Sequence, residues 1–215
     1  MDITVKQMMQ IEENGHRMGF LRKFMMENAG ASAVRRLQEK FENLSSKNIL
    51  VFAGLGNNGG DAFVIARHLA GYGSKVTVVL LGLPENIKTE ESSWNWQLLT
   101  KMNSIKLIIS EKVSFRPTTD IIIDGILGTG ISGIIREPYA SAIKVINDTP
   151  AFKLAVDVPS GLDPDTGNTS NIYVKADVTI TFHKMKIGMP KRKDVCGQIF
   201  VEKIGIPPEA EEGVL

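Results

Sequence analysis

From Asn48 onward the chain alternates between two hydrophobic patterns. Short β-branched runs bounded by glycine, proline or polar residues predict strands over 48–53, 75–81, 105–109, 120–124, 153–157, 178–182 and 198–202. Helical spacing predicts helices over 61–70, 90–102 and 139–147. Ahead of the first strand, Leu21, Phe24, Met25, Ala29, Val34, Leu37 and Phe41 recur every three or four positions, so the first forty-odd residues read as helix. Gly30 is the point where that helix is expected to bend or break. The strands are almost wholly apolar, as strands buried on both faces should be. Together with the strand–helix alternation this predicts an α/β fold, a Rossmann-like doubly wound and mostly parallel sheet with helices on both faces in three αβα layers. Residues 207–215, acidic and proline-bearing, read as a loose tail.

Length and charge narrow the picture. With 215 residues and 43% hydrophobic content, one domain spanning residues 1–215 is expected. Lys plus Arg (25) nearly equals Asp plus Glu (24), so there is no global field to drive binding to nucleic acid or an anionic membrane. The sole cysteine, Cys196, allows no internal disulfide or thiolate cluster and suits a reducing compartment. No stretch has signal-peptide or membrane-span character, and a cytoplasmic protein is expected.

The first strand runs into Gly54-Leu55-Gly56-Asn57-Asn58-Gly59-Gly60-Asp61 and then a helical pattern. This is G-x-G-x-x-G in its proper context, strand before and helix after. Residues without Cβ let backbone N–H groups approach an anion, and a helix N-terminus adds partial positive charge, so the turn suits a phosphate. The same glycines also suit a tight turn with no ligand, and Asp61 suits a helix N-cap. An ordinary dinucleotide-dependent dehydrogenase fits less well, because the second strand ends at Gly82-Leu83-Pro84 with no acid for an adenosine ribose.

Two further strands end in carboxylates. The fourth gives Asp124-Gly125 and then Gly128-Thr129-Gly130-Ile131-Ser132-Gly133-Ile134, and the fifth gives Asp157-Val158-Pro159-Ser160-Gly161-Leu162-Asp163. In a sheet of order 3-2-1-4-5 these ends meet the glycine turn at the topological switch point. Either Asp alone would pass as a loop cap, but two at equivalent strand ends point to a shared site.

These three loops, with Ala176-Asp177-Val178-Thr179-Ile180-Thr181-Phe182 and Lys186-Ile187-Gly188, resemble the signatures of the YjeF N-terminal domain family, the NAD(P)H-hydrate epimerases, over nearly the whole chain. The resemblance implies an isomerase that interconverts the R and S epimers of NADHX or NADPHX without hydride transfer. It implies a substrate site at Asn57, Asn58, Gly59, Gly60 and Asp61, at Gly128, Thr129, Gly130, Ile131, Ser132, Gly133 and Ile134, and at Asp157. It implies potassium ligands in Asn58, Asp124 and Ser160, a set of oxygens that suits a hard cation. A homodimer is implied too, as is a functional partner, an ADP- or ATP-dependent dehydratase, expected as a separate protein because the sequence ends at Leu215. Ala62 stands where the family usually has glycine, a departure that matters only if the position needs positive φ.

Asp157 is the candidate general acid/base, since epimerising a hydrated carbon breaks and re-forms a bond with accompanying proton transfers. Lys186 is a second candidate for an electrostatic role, though lysine in such a run is commonly solvated. His16, His68 and His183 belong to no motif. Trp94 and Trp96 suit either an interface or the core. Two other readings stand beside the epimerase: an NAD(P)-dependent oxidoreductase, and a non-catalytic nucleotide- or RNA-binding scaffold that would use the basic segment Lys184, Lys186, Lys191, Arg192 and Lys193.

Overall fold

The computed structural model describes residues 1–115, 117–130 and 133–215. Seven strands, β1 (Asn48–Ala53), β2 (Lys75–Leu81), β3 (Ile105–Ser110), β4 (Ile121–Gly125), β5 (Phe152–Val156), β6 (Val178–Phe182) and β7 (Gln198–Glu202), form one sheet in the order β3-β2-β1-β4-β5-β6-β7. Every neighbouring pair is parallel, so the expected sheet is present with no antiparallel member among these strands. The strands follow the β-branched runs, with β3 one residue longer and β4 and β5 displaced by one residue.

Alternation along each strand splits the core between the two faces. Ile49, Val51 and Ala53 of β1 join the larger cluster, under helices α2 (Arg22–Lys40), α3 (Asn57–Gly71) and α4 (Glu90–Leu99). Leu50 and Phe52 join the smaller one, under Ala142, Ile143 and Ile146 of α5 (Tyr139–Asp148). Trp96 packs on Phe63 with ring centroids 5.4 Å apart, whereas Trp94 is exposed. The helix α1 (Val5–Arg17) starts at a capping box, Thr4 with Gln7, and buries Met8, Ile11 and Gly15.

Three expectations are corrected. The N-terminal helix breaks between Arg17 and Arg22, where Gly19 takes φ +101°, and runs straight through Gly30. A Cβ at Gly30 would lie 2.4 Å from Val64 Cγ1, so this glycine permits the close crossing of α2 on α3. Second, α3 begins one turn before Asp61, with Gly56 as its N-cap, so Asp61 lies in the second turn and caps nothing. Third, residues 207–215 are packed. Ala210 is buried and its carbonyl accepts from Asn14 Nδ2 at 3.0 Å, while Glu211 pairs with Lys184 Nζ at 2.8 Å and stands 2.9 Å from His183 Nε2. Of the acids that suggested a solvated tail, Glu211 is held by these partners, while Glu209 and Glu212 are exposed. Ala62 is not among the residues with positive φ; it is buried in α3 with its Cβ against Gly125.

At the switch point the chain leaves β1 and β4 through adjacent loops, and Gly54 N–H donates to Gly125 O at 3.0 Å. The glycines there do different work. A Cβ on Gly54 would sit 1.9 Å from Ile126 O, and one on Gly59 2.0 Å from Gly54 O, whereas a Cβ on Gly56 would meet nothing within 4 Å. Gly59→Ala is therefore expected to cost about 1–3 kcal/mol of stability through overpacking. Gly56→Thr, open and well suited to a helix N-cap, should stay within about 0.5 kcal/mol of the parent. Urea midpoints of the two variants provide the check, and equal losses would contradict the distinction.

Candidate active site

The carboxyl ends of β1, β4, β5 and β6 open into one cavity of 540 Å³, closed from above by α1 and the start of α2. Its lining includes Asn57, Asn58, Asp61, Gly128, Thr129, Gly130 and Asp157 from the three loops singled out in the sequence. Gly59, Gly60, Asp124 and Ser160 are buried behind that lining. Gly133 and Ile134 are exposed and line no part of it, and Ile131 and Ser132 lie outside the described residues.

Asp157 follows β5 with φ +61°, a left-handed conformation that a residue with a Cβ adopts only when its surroundings impose it. Here the constraint comes from β6. The Asp157 N–H donates to Ile180 O at 2.8 Å, and its Oδ1 accepts from Thr181 Oγ1 at 3.0 Å, from the Phe182 N–H at 3.2 Å and from Lys186 Nζ at 2.5 Å. Lys186 is 1% exposed and also donates to Thr181 Oγ1 at 2.8 Å and to Phe182 O at 3.2 Å. A buried ammonium must be paired and hydrogen-bonded to be tolerated, and here each of its three protons has an acceptor. The basic run is only partly a solvated face: Lys186 is an internal ion-pair partner, Lys184 is tied to Glu211 and Arg192 is engaged with Asp194 and Gly167 O, while Lys191 and Lys193 are exposed.

Three further carboxyls line the cavity without a side-chain hydrogen bond or ion pair among the described residues, Glu91 of α4 and two more acids. Asp61 projects from α3 and Glu12 from α1. Burial pushes Glu12 up to about 7, helped by the nearby negative charge of Asp157 and opposed by Lys186 and Arg22. Burial also holds Asp61 well above the usual carboxylate range, reinforced by Asp157 and Glu12. Glu12 belongs to no motif and escaped the sequence reading. The signal was there: Met8, Ile11, Glu12 and Gly15 form an i, i+3, i+4, i+7 stripe, so a carboxyl stands among the inward positions of an amphipathic helix.

A second polar cluster lies at the base of the β4 loop. Ser160 donates to Asp124 twice, from Oγ to Oδ1 at 2.6 Å and from N to Oδ2 at 2.8 Å. Ser160 Oγ accepts from Leu127 N at 2.9 Å, and Asn58 Nδ2 donates to Leu127 O at 3.1 Å. The structure thus gathers Asn58, Asp124 and Ser160 around the Ile126–Leu127 turn. Asp124 is fully buried, which pushes its carboxyl up to about 6 against the hydrogen bonds from Ser160 and Ile126. Among the described residues no lysine or arginine pairs with it. At the other end of the cavity β2 stops at Leu81 with no acid at its tip, and the Lys88 N–H donates to Leu55 O at 2.8 Å, placing Lys88 beside the glycine turn. The histidines stand apart from the lining. His68 Nε2 lies 2.8 Å from Glu27 Oε1, and His183 is buried with φ +64°.

Known proteins resemble this chain over most or all of its length. A protein from Nitrosopumilus maritimus named NAD(P)H-hydrate epimerase is 68% identical over the full length of both chains, and one of the same name from Cenarchaeum symbiosum is 63% identical, again over both full lengths. A bifunctional NAD(P)H-hydrate repair enzyme from Archaeoglobus fulgidus is 43% identical across 97% of this chain, which spans 42% of that longer protein. The crystal structure of the yeast protein ynu0 superposes with a TM-score of 0.83 at 25% identity, over 98% of this chain and 91% of the yeast one. The family model described as YjeF-related protein N-terminus matches residues 22–188, and the chain belongs to that family.

Proposed function

We propose that this protein is an NAD(P)H-hydrate epimerase, an isomerase acting on NADHX or NADPHX. What carries the reading is the meeting, in one cavity, of an open glycine turn at a helix N-terminus with a carboxylate, Asp157, set by a buried lysine. The turn suits the diphosphate, because Gly56 leaves room beside the N–H groups that begin α3. The carboxylate suits the hydrated ring. With Oδ1 occupied by Lys186, Thr181 and Phe182, Asp157 has Oδ2 left to take and return the proton as the hydrated carbon loses and regains its substituent. The oxidoreductase reading is weaker because the β2 tip offers no ribose carboxylate. The nucleic-acid reading is weaker because Lys184, Lys186 and Arg192 are committed to internal partners.

The Asn58, Asp124 and Ser160 cluster fits a potassium ion on its donor chemistry, an amide, a carboxylate and a hydroxyl around a buried anion without a cationic partner among the described residues. A bound potassium would offset the Asp124 charge and hold the Leu127 loop against the start of α3. The protein's own residues do the rest: the α3 amides orient the diphosphate, the Gly128 to Gly130 backbone closes over the ligand, and Asp157 moves the proton. A functional partner, an ADP- or ATP-dependent dehydratase, would then consume one epimer. A homodimer follows from the family resemblance alone. A cytoplasmic site of action fits the lone Cys196, buried and with its thiol pushed up to about 12 by burial, far from any redox role.

The test of the reading is direct: purified protein given separated epimers should interconvert them faster than the enzyme-free background, followed by chromatography. Asp157→Asn preserves size but not basicity, so the corrected rate should fall about a hundred- to ten-thousandfold with little change in ligand affinity. A variant keeping more than about a third of parent turnover would remove Asp157 from the chemistry. Gly56→Thr, which leaves the fold intact, should weaken ligand binding in calorimetry at least about tenfold, worth roughly 1.4 kcal/mol. For the cation, potassium should raise the melting temperature more than equal ionic strength of tetramethylammonium, and Asp124→Ala should abolish the difference. Equal effects of the two salts on the parent would argue against the site.

A further inference from the structure

Epimerisation through a carbon–oxygen bond needs a proton donor for the departing hydroxyl as well as an acceptor for the returning water. Asp157 accounts for one of these. Within the three sequence loops the remaining carboxyl of the lining is Asp61, and a second, Glu12, faces the same cavity from α1. That helix is fastened over the cavity by the segment that carries Lys186. Ile3 N–H donates to Met185 O at 2.8 Å, Ile187 N–H donates to Ile3 O at 3.1 Å, and the Val5 N–H at the helix start donates to Asp165 Oδ1 at 2.8 Å. This pairing places Glu12 in the same cavity lining as Asp61, Asp157 and Lys186.

We propose that Glu12 is the second proton-transfer residue of this site, retaining a proton beside Asp61 and Asp157 in the same cavity and delivering it to the departing hydroxyl. The inference rests on the epimerase reading and extends it to a residue outside the three loops. Three observations carry it. Glu12 and Asp61 both line the cavity with no protein donor or cation bonded to either among the described residues. The cations within reach are committed elsewhere, Lys186 to Asp157, Thr181 and Phe182 O, and Arg22 to Glu13. Carboxyls crowded without a counter-charge cannot all ionise, so one proton is retained. The burial that raises Glu12 and Asp61 acts in the same direction.

The charged groups around Glu12 are Arg22 from α2, Asp61 from α3, Asp157 after β5, and Lys186 after β6. Lys88 and Glu91 complete the charged part of the lining, His16 lies one turn along α1, and the turn Pro208–Glu211 packed on α1 adds exposed Glu209 and the paired Glu211. Four carboxyls line the pocket, and of its three cations Lys186 is bonded to Asp157 and Arg22 to Glu13, so neither Glu12 nor Asp61 has a bonded cation among the described residues. In the proposed step the proton passes from Glu12 to the hydroxyl oxygen as its bond to carbon breaks. The bonding pair leaves with oxygen as water, and the ring nitrogen shares the positive charge left on carbon. Water re-adds from the other face and gives its extra proton to Asp157 Oδ2, and exchange with solvent restores both groups.

The test is the pH–rate profile of the whole protein, corrected for background, beside Glu12→Gln. A proton donor works only while protonated, so parent kcat should be highest on the acid side and fall as pH rises through about 7. Glu12→Gln should remove that descending limb and lower kcat at pH 6 by about a hundredfold, with circular dichroism unchanged. A variant that keeps the limb, or that raises KM while the kcat profile stays as in the parent, overturns the proposal and leaves Glu12 a structural or binding residue. Carbon-13 carboxyl titration of the unsubstituted protein gives an independent reading. Glu12 should titrate near 7, and a midpoint at its ordinary 4.5 overturns the proposal whatever the variant does. A parent protein without any epimerase activity would instead refute the functional reading, and the titration would still decide whether Glu12 holds a proton.

Discussion

The site depends on one buried ammonium. Moving a lysine from water into the interior costs several kcal/mol unless its charge and all its protons are matched. The fold meets that requirement for Lys186 with Asp157 Oδ1, Thr181 Oγ1 and Phe182 O. Meeting it fixes three things together: the left-handed turn of Asp157 at the end of β5, the carboxyl end of β6, and the segment after β6 that carries the lysine. Because Ile3 pairs with the same segment, the position of α1 follows as well. The wall of the cavity that bears the acids is therefore set by the geometry of a single charge.

The opposite requirement governs the ends of β1 and β4. There the constraint is steric, since two loops must pass at backbone distance beside the switch point. Gly54 and Gly59 exist for that approach, and Gly125 for its contact with Ala62, whereas Gly56 faces open space. Behind them Asp124 and Ser160 form a closed hydrogen-bonded pair that anchors the peptide of Leu127. The G-x-G-x-x-G motif, read as one anion-binding signature, is thus two packing positions, Gly54 and Gly59, and one position, Gly56, open to a ligand. The distinction separates stability from binding in a way that the motif alone does not.

Much of this was legible in the residues. Short, almost wholly apolar β-branched runs bounded by turn residues have few physical solutions, so the strands were placed to within a residue, and with strand–helix alternation the parallel sheet followed. The carboxylates Asp124 and Asp157 were found because they end apolar strands, where a charge has no packing role. The resemblance of three loops to known signatures then singled out Asn58, Asp61 and Ser160. Element starts were less legible. Gly56 opens α3 a turn earlier than Asp61 suggested, because glycine and asparagine are poor helix formers that tertiary packing tolerates.

What the sequence by itself determined was local: which segments are strands and helices, which loops carry glycine or acid, and that their ends meet at the switch point. What only the tertiary structure decided was which groups share a cavity and in what state of charge. Lys186 looked like one member of a solvated basic run, and Glu12, in no motif, was not singled out at all. Their burial arises from contacts between residues far apart in the chain, Ile3 with residues 185–187 and Asp157 with Lys186. Electrostatic free energy depends on surrounding dielectric and neighbouring charge, and neither is encoded in a residue's own position along the chain.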